Sequence, residues 1–238
     1  MHIPDGWISP STAAVMYAAA APFWYVAARR VKRVLTHRVV PLLSLFAALS
    51  FAVMMFNVPL PGATTGHVTG GAIVAVVLGP WASVLALSVV LVIQAVFFGD
   101  GGILAIGANC FNIAVALPLV AYAVYQILSL GSDITSGRRV WAAAIGAYVG
   151  LNVAALLTAV EIGVQPMLFT EAGHPLYSPY DLSQAVPVMF LTHALIIGPL
   201  EAVITGLAVA YLQRSHLPVL KLNTPTLATT AKEARGTL

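Results

Sequence analysis

The sequence predicts an all-α, polytopic membrane protein with about seven transmembrane helices. Three observations carry that expectation. Of 238 residues 60% are hydrophobic and only 8% are charged, the mean hydropathy is +0.93, and apolar runs of roughly 20 residues, enough to cross a bilayer as a helix, recur along the chain. A soluble domain of this size could not withdraw so much apolar surface from water. Lipid favours it, provided that each span satisfies its own backbone hydrogen bonds.

The chain opens with MHIPDGW, which lacks the basic start of a secretory signal and in which Pro4 and Gly6 oppose helix formation. Apolar runs then lie near 10–28 and 40–57. The next run, 68–98, is too long for one span and is interrupted by Leu78-Gly79-Pro80-Trp81, so it divides into a short span near 67–78 and another near 80–98. Further spans are expected near 103–128, 140–163 and 184–212. An odd number of crossings puts the termini on opposite faces.

Orientation follows from the basic residues, which stay on the cytoplasmic side near span ends. All eleven fall on one side of this arrangement: Arg29, Arg30, Lys32, Arg33 and Arg38 after the first span, Arg138 and Arg139 before the sixth, and Arg214, Lys221, Lys232 and Arg235 after the seventh. The N-terminus is therefore expected outside and the C-terminus in the cytoplasm. Residues 1–212 form the membrane-embedded domain, and 213–238, rich in Thr, Ala and Pro, read as a flexible cytoplasmic tail. The outer connections PLPGATTGH, FGDGG and PMLFTEAGHPLYSPYDL carry acidic groups and no basic ones, leaving no cationic barrier to an approaching cation. The net charge of +3 is thus a topology signal and not a nucleic-acid footprint.

With the N-terminus outside, His2 has a specific chemical capacity. A free α-amine, the backbone nitrogen of residue 2 and a ring nitrogen of His2 can close two adjacent chelate rings on one metal ion, giving three nitrogens from two residues. The chelate cannot extend to Pro4, which has no N–H, so a fourth ligand must come from elsewhere. An all-nitrogen planar set suits Ni(II) or Cu(II). The alternative is a mobile terminal residue. His67 ends the outer connection NVPLPGATTGH and enters the short third span, where it either faces a central cavity or bonds a backbone carbonyl at the interface.

At this point the residues resemble a known family. MHIPDGW, MMFNVPLPGATTGH, LGPW, FGDGGILAIGAN and EAVITG are similar to the substrate-capture subunits of nickel and cobalt energy-coupling-factor transporters, NikM and CbiM, over residues 1 to about 212. The resemblance implies that the Met1 amine, the backbone nitrogen and imidazole of His2, and the His67 imidazole hold the metal in a near-planar set of four nitrogens. It also implies an N-terminal helix beyond the six usual in such subunits, which places the first residues in the central cavity. Its implied partners are a transmembrane coupling subunit, docked through alanine-rich helical faces, two ATP-binding cassette ATPases and often a small accessory membrane subunit. No permanent cofactor is implied: Ni²⁺ or Co²⁺ is the cargo, captured from outside a prokaryotic cell membrane.

Other polar residues carry two readings each. Asn57 either hydrogen-bonds near the ligand or ties its loop, and Asp100, between glycines, either attracts the cation or ties the turn. His193 and Glu201, in the seventh span, are intramembrane ionisable groups and hence functional candidates; a second metal site or a hydrogen-bonded, protonated Glu201 both fit. Glu161 and His174 read as interfacial or solvated, and Cys110 as a small core residue without a disulfide partner. Ala14 and Ala18 have small-xxx-small spacing, suited to close helix contact.

No phosphate-binding GxxxxGK[ST] motif occurs, so a transport reading requires energy from other subunits. A self-sufficient channel or secondary carrier would show a polar pore or paired broken helices, and an intramembrane metalloenzyme built on His2, His67, His193 and Glu201 would lack HExxH. Planar nitrogen ligation and the affinity order both favour nickel over cobalt.

Overall fold

The computed structural model describes residues 1–34, 39–60, 64–215 and 217–220. Ser9 starts the first helix, α1 (Pro10–Val34): its Oγ accepts from the Thr12 N–H at 3.0 Å, and Pro10 occupies the first helical position, where no N–H is needed. α2 (Val39–Met54) leads into a small antiparallel hairpin, β1 (Val58–Leu60) and β2 (Thr64–Gly66), with Val58 opposite Gly66 and Pro59 opposite Thr65. α3 (Gly71–Leu78) and α4 (Pro80–Ile93) meet at Gly79, whose φ of +93° makes the turn, and α4 continues as a π turn over Gln94–Phe98. α5 (Ile106–Asn109) passes through a second π segment, Cys110–Ala116, into α6 (Leu117–Ser129).

α7 (Gly137–Gly163), capped by Ser136, is followed by α8 (Gln165–Leu168) and a two-residue hairpin, β3 (Thr170–Glu171) with β4 (His174–Pro175). Asp181 caps α9 (Leu182–Thr192) by accepting from Gln184 N–H at 3.0 Å. A third π turn, His193–Ile197, joins it to α10 (Gly198–Ser215), and α11 (Leu217–Leu220) closes the described chain.

Among the described residues, four helical stretches, 80–98, 106–129, 137–168 and 182–215, are long and apolar enough to cross a bilayer. α3 is not: eight residues rise about 12 Å against a hydrocarbon core of about 30 Å, and residues 71–77 are wholly buried. The expected span near 67–78 is thus a short helix that starts after His67. α1 runs six residues past the expected 28 to Val34, and the outer connections contain two hairpins that the all-α reading did not include. Of the expected tail, 213–215 end α10 and Leu217–Leu220 form α11, with Leu220 buried against Ile73 and Val77 of α3. Residue 216, residues 221–238 and the loop basic residue Arg38 lie outside the described residues.

Glycines set the closest helix approach. A Cβ on Gly146 would stand 2.5 Å from the Ala121 carbonyl oxygen, and one on Gly150 would stand 2.6 Å from that of Leu117, so α6 and α7 pack backbone to backbone. At one end of the bundle, Gln213 donates to the Ile134 and Ser136 carbonyls, and Arg139 reaches Tyr125. The N-terminal residues gather at the other end.

Candidate metal centre

Residues 1–9 are threaded into the bundle by hydrogen bonds along their length. Asn109 brackets residue 3, its Oδ1 accepting from Ile3 N–H at 2.8 Å and its Nδ2 donating to the Ile3 carbonyl at 3.1 Å. Gly102 N–H donates to the same carbonyl at 2.8 Å. The Asp5 carboxylate accepts from the N–H groups of Ile103 and Leu104 at 3.0 and 2.9 Å. A Cβ on Gly102 would stand 2.4 Å from the Asp5 nitrogen, so this loop can lie against the N-terminal strand only as glycine. Further along, Trp7 accepts from Ser178 N–H and stacks near Tyr180, and Ser9 N–H reaches Gln165 Oε1.

This threading fixes the chain end inside the protein. Met1 is 3% exposed and its amine donates to the Thr65 carbonyl at 2.7 Å. Burial pushes that amine down to about 5, with the Asp100 charge opposing, so it is neutral and carries a free lone pair at neutral pH. The His2 Nδ1 lies 2.9 Å from Asp100 Oδ1, and Asn57 Nδ2 donates to the other Asp100 oxygen at 3.5 Å. Burial also lowers the His2 imidazole, offset in part by the Asp100 hydrogen bond. Desolvation would raise Asp100, but its bond to His2, the nearby charges and Asn57 hold it below the ordinary carboxylate value.

His67, 1% exposed, sits between β2 and α3, and its ring centroid is 4.6 Å from that of His2. Gly66 allows this: a Cβ there would stand 2.5 Å from Ile197 Cγ1. The His67 imidazole is held well below 6.5 by burial first and then by His2, the Met1 amine and His193, against a weak bond of Nδ1 to the Val68 carbonyl at 3.4 Å. The Nε2 atoms of His2 and His67 are buried without a hydrogen-bond partner, and the His2 amide N–H makes no hydrogen bond to another described group. A neutral amine, a bare amide and two neutral imidazoles therefore converge. Beside them is a cavity of about 580 Å³ lined by Met1, His2, Ile3, Thr65, Tyr180 and faces of α7 and α9.

The structure thus brings Met1, His2, His67, Asp100 and Asn57 to one place. It keeps Glu201 apart from them, bound to Thr69 and Gly70. His193 is fully buried, with Nδ1 on the Met189 carbonyl at 2.8 Å and Nε2 unpartnered. Glu161 is a correction: it is buried and accepts from Asn112 Nδ2 at 2.8 Å, not solvated, because α7 turns it toward the π segment of Cys110–Ala116. His174 lies exposed in β4. Sequence reasoning missed Asn109, Thr65 and Asp5 as the clamps of the chain end; the dense glycines of FGDGG were the available signal, since glycine marks close backbone approach. Among the described residues no three His, Cys, Asp or Glu side chains are arranged to hold a metal ion.

Comparison with known proteins follows the same direction. Residues 2–218 match the family described as cobalt uptake substrate-specific transmembrane region. The fused nickel transport protein NikMN of Rhodobacter capsulatus is 57% identical over 92% of this chain, which spans 64% of that relative's length. The cobalt transport protein CbiM of Geobacter sulfurreducens is 30% identical over 92% of this chain and 61% of its own. A crystal structure of a truncated transition metal transporter superposes with a TM-score of 0.85 at 50% identity, covering 91% of this chain and all of the other. The relatives are named as metal transport proteins and not as enzymes.

Proposed function

The chain belongs to the family of cobalt uptake substrate-specific transmembrane regions, and from that premise we propose that it captures Ni²⁺, or Co²⁺, for uptake through an N-terminal Met-His chelate completed by His67. The observation that carries the reading is the burial of a neutral terminal amine beside two buried imidazoles whose Nε2 atoms have no hydrogen-bond partner. A buried amine without a ligand to bind is costly, and a divalent ion gives the amine lone pair and the His67 ring a partner.

Chelate geometry fixes which ring atom is used. The second ring closes through Cα, Cβ and Cγ to Nδ1, because Nε2 points to the far side of the imidazole. Nδ1 instead faces Asp100, so capture includes a half-turn about the Cβ–Cγ bond that exchanges Nδ1 with Cδ2. After it, Cδ2 takes the place of Nδ1 and Nε2 that of Cε1, so a small shift of the Asp100 carboxylate toward Nε2–H would let it hold the ring as a carboxylate holds a metal-bound histidine. The amine keeps an N–H for Thr65 while its lone pair serves the metal.

In the membrane, the metal end faces outward and the arginine-bearing end faces the cytoplasm, consistent with the positive-inside rule. Energy comes from partners of the energy-coupling-factor type: a transmembrane coupling subunit and two ATPases, with the tail and any accessory subunit on their own terms. Nickel is favoured over cobalt by planar nitrogen ligation. The test is titration of purified protein with Ni²⁺ and Co²⁺, with its native N-terminus and with one residue added before Met1. Tight binding with a planar-nickel absorption band, lost on the addition, supports the chelate; equal binding by both sinks it.

A further inference from the structure

Glu201 is a buried carboxylate that accepts three hydrogen bonds, and the chelate has no use for it. It lies within the first turn of α10, wholly buried. Its Oε2 accepts from Thr69 N–H at 2.6 Å, and its Oε1 accepts from Thr69 Oγ1 at 2.9 Å and Gly70 N–H at 3.0 Å. These donors stand two and three residues after His67, at the start of α3. They include main-chain N–H groups that a helix start leaves without partners, and the carboxylate meets the positive end of the helix dipole.

The rest of the strip is held as firmly. Thr69 Oγ1 also accepts from Gly71 N–H at 3.1 Å, and Ser83 Oγ donates to the Gly71 carbonyl at 2.9 Å. Gly70 adopts φ +68°, and a Cβ on Gly71 would stand 2.6 Å from Leu87 Cδ1. Among the described residues the His67 ring makes one hydrogen bond, the long Val68 contact, besides its ring contact with His2. Its ring is therefore placed by the backbone that follows it, and Glu201 ties Thr69 and Gly70 of that backbone to α10, as Ser83 ties Gly71 to α4.

We propose that Glu201 is a positioning residue for the metal centre: it fixes the Thr69–Gly70 backbone, and with it the His67 imidazole, to α10. The same bonds make α10 the element whose displacement moves His67 relative to Met1 and His2. This rests on the reading of His67 as a metal ligand, and the test separates the two.

Nickel titrations and absorption spectra of the full chain, with its native N-terminus, would compare wild type, Glu201→Gln, Glu201→Asp, Thr69→Val and His67→Ala. The melting temperature of each without metal is measured alongside. Glutamine replaces one acceptor oxygen by an amide that confronts an N–H donor. Glu201→Gln is expected to bind nickel about 10- to 100-fold more weakly and, at saturating nickel, to show a ligand-field band moved toward that of His67→Ala. Thr69→Val, which removes one donor and keeps the shape, should move the band less in the same direction. A purely structural role would lower the melting temperature and leave the saturated band unchanged. A wild-type band in Glu201→Gln, with an altered one in His67→Ala, overturns the proposal. If Glu201→Gln does not fold, wild-type bands in both Glu201→Asp and Thr69→Val overturn it equally. A wild-type band in His67→Ala removes the ligand reading itself, and this proposal with it.

Discussion

The α6–α7 contact and the chain end are both tightly packed, and they are held by different physics. At Gly146 and Gly150 the α6 and α7 backbones touch through contact area without direction, and the directed bonds between the two helices lie elsewhere, where Arg138 reaches the Leu128 carbonyl and Arg139 the Tyr125 hydroxyl. Around Met1 to Asp5, each close approach is matched by a directed hydrogen bond from Asn109, Gly102, Ile103, Leu104 or Thr65. The first kind of packing tolerates sliding. The second fixes individual nitrogens in place, which is what a metal centre assembled from a chain terminus requires.

The comparison can be broken from either side. The largest effect is expected from one residue added before Met1, which displaces the amine and shifts the histidine from second position; high-affinity nickel binding should vanish in calorimetric titration. Next, Gly150→Leu forces a side chain against the Leu117 carbonyl, and overpacking of this kind costs about 1–3 kcal/mol or more. Its melting temperature should fall, while the folded fraction keeps the wild-type nickel band. A changed band would mean that the two regions are not separable.

Asn109→Ala should show the opposite pattern. It leaves the buried Ile3 N–H unpaired, at about 1–3 kcal/mol, while the Ile3 carbonyl keeps its bond from Gly102, and it loosens the chain end, so nickel affinity should fall more than the melting temperature suggests. Asp100→Asn should have a smaller effect, about tenfold in affinity, since it weakens the orientation of His2 and leaves every ligand present.

Metal-free stability should in turn depend on pH. The Met1 amine is lowered from 8.0 to about 5, and the His2 and His67 imidazoles lie below 6.5. Between about pH 5 and 8 the unfolded chain binds more protons than the folded one, so stability rises with pH across that window. It is fully present above about 8 and lost as pH falls through 5. The melting temperature without metal should climb accordingly, and less steeply in the protein with the added N-terminal residue, where only the imidazoles remain to contribute.

The helices were legible because lipid imposes a simple rule: long apolar runs must be helical, and Gly79-Pro80 must interrupt one. Position two gave His2 its chelating capacity without any fold. Less was readable where backbone geometry replaced pattern. Nothing in the periodicity shows that α3 starts only at Gly71, that Glu161 is turned inward to Asn112, or that Asn109 grips residue 3 across more than one hundred positions.

What the sequence by itself determined is a helical membrane protein with histidine as its second residue, since hydropathy and residue order are properties of the chain alone. What the tertiary structure decided is that the Met1 amine is buried and neutral, that His67 lies beside His2, and that Glu201 serves the backbone after His67. Those facts depend on desolvation and on contacts between distant residues, which exist only once the chain is folded.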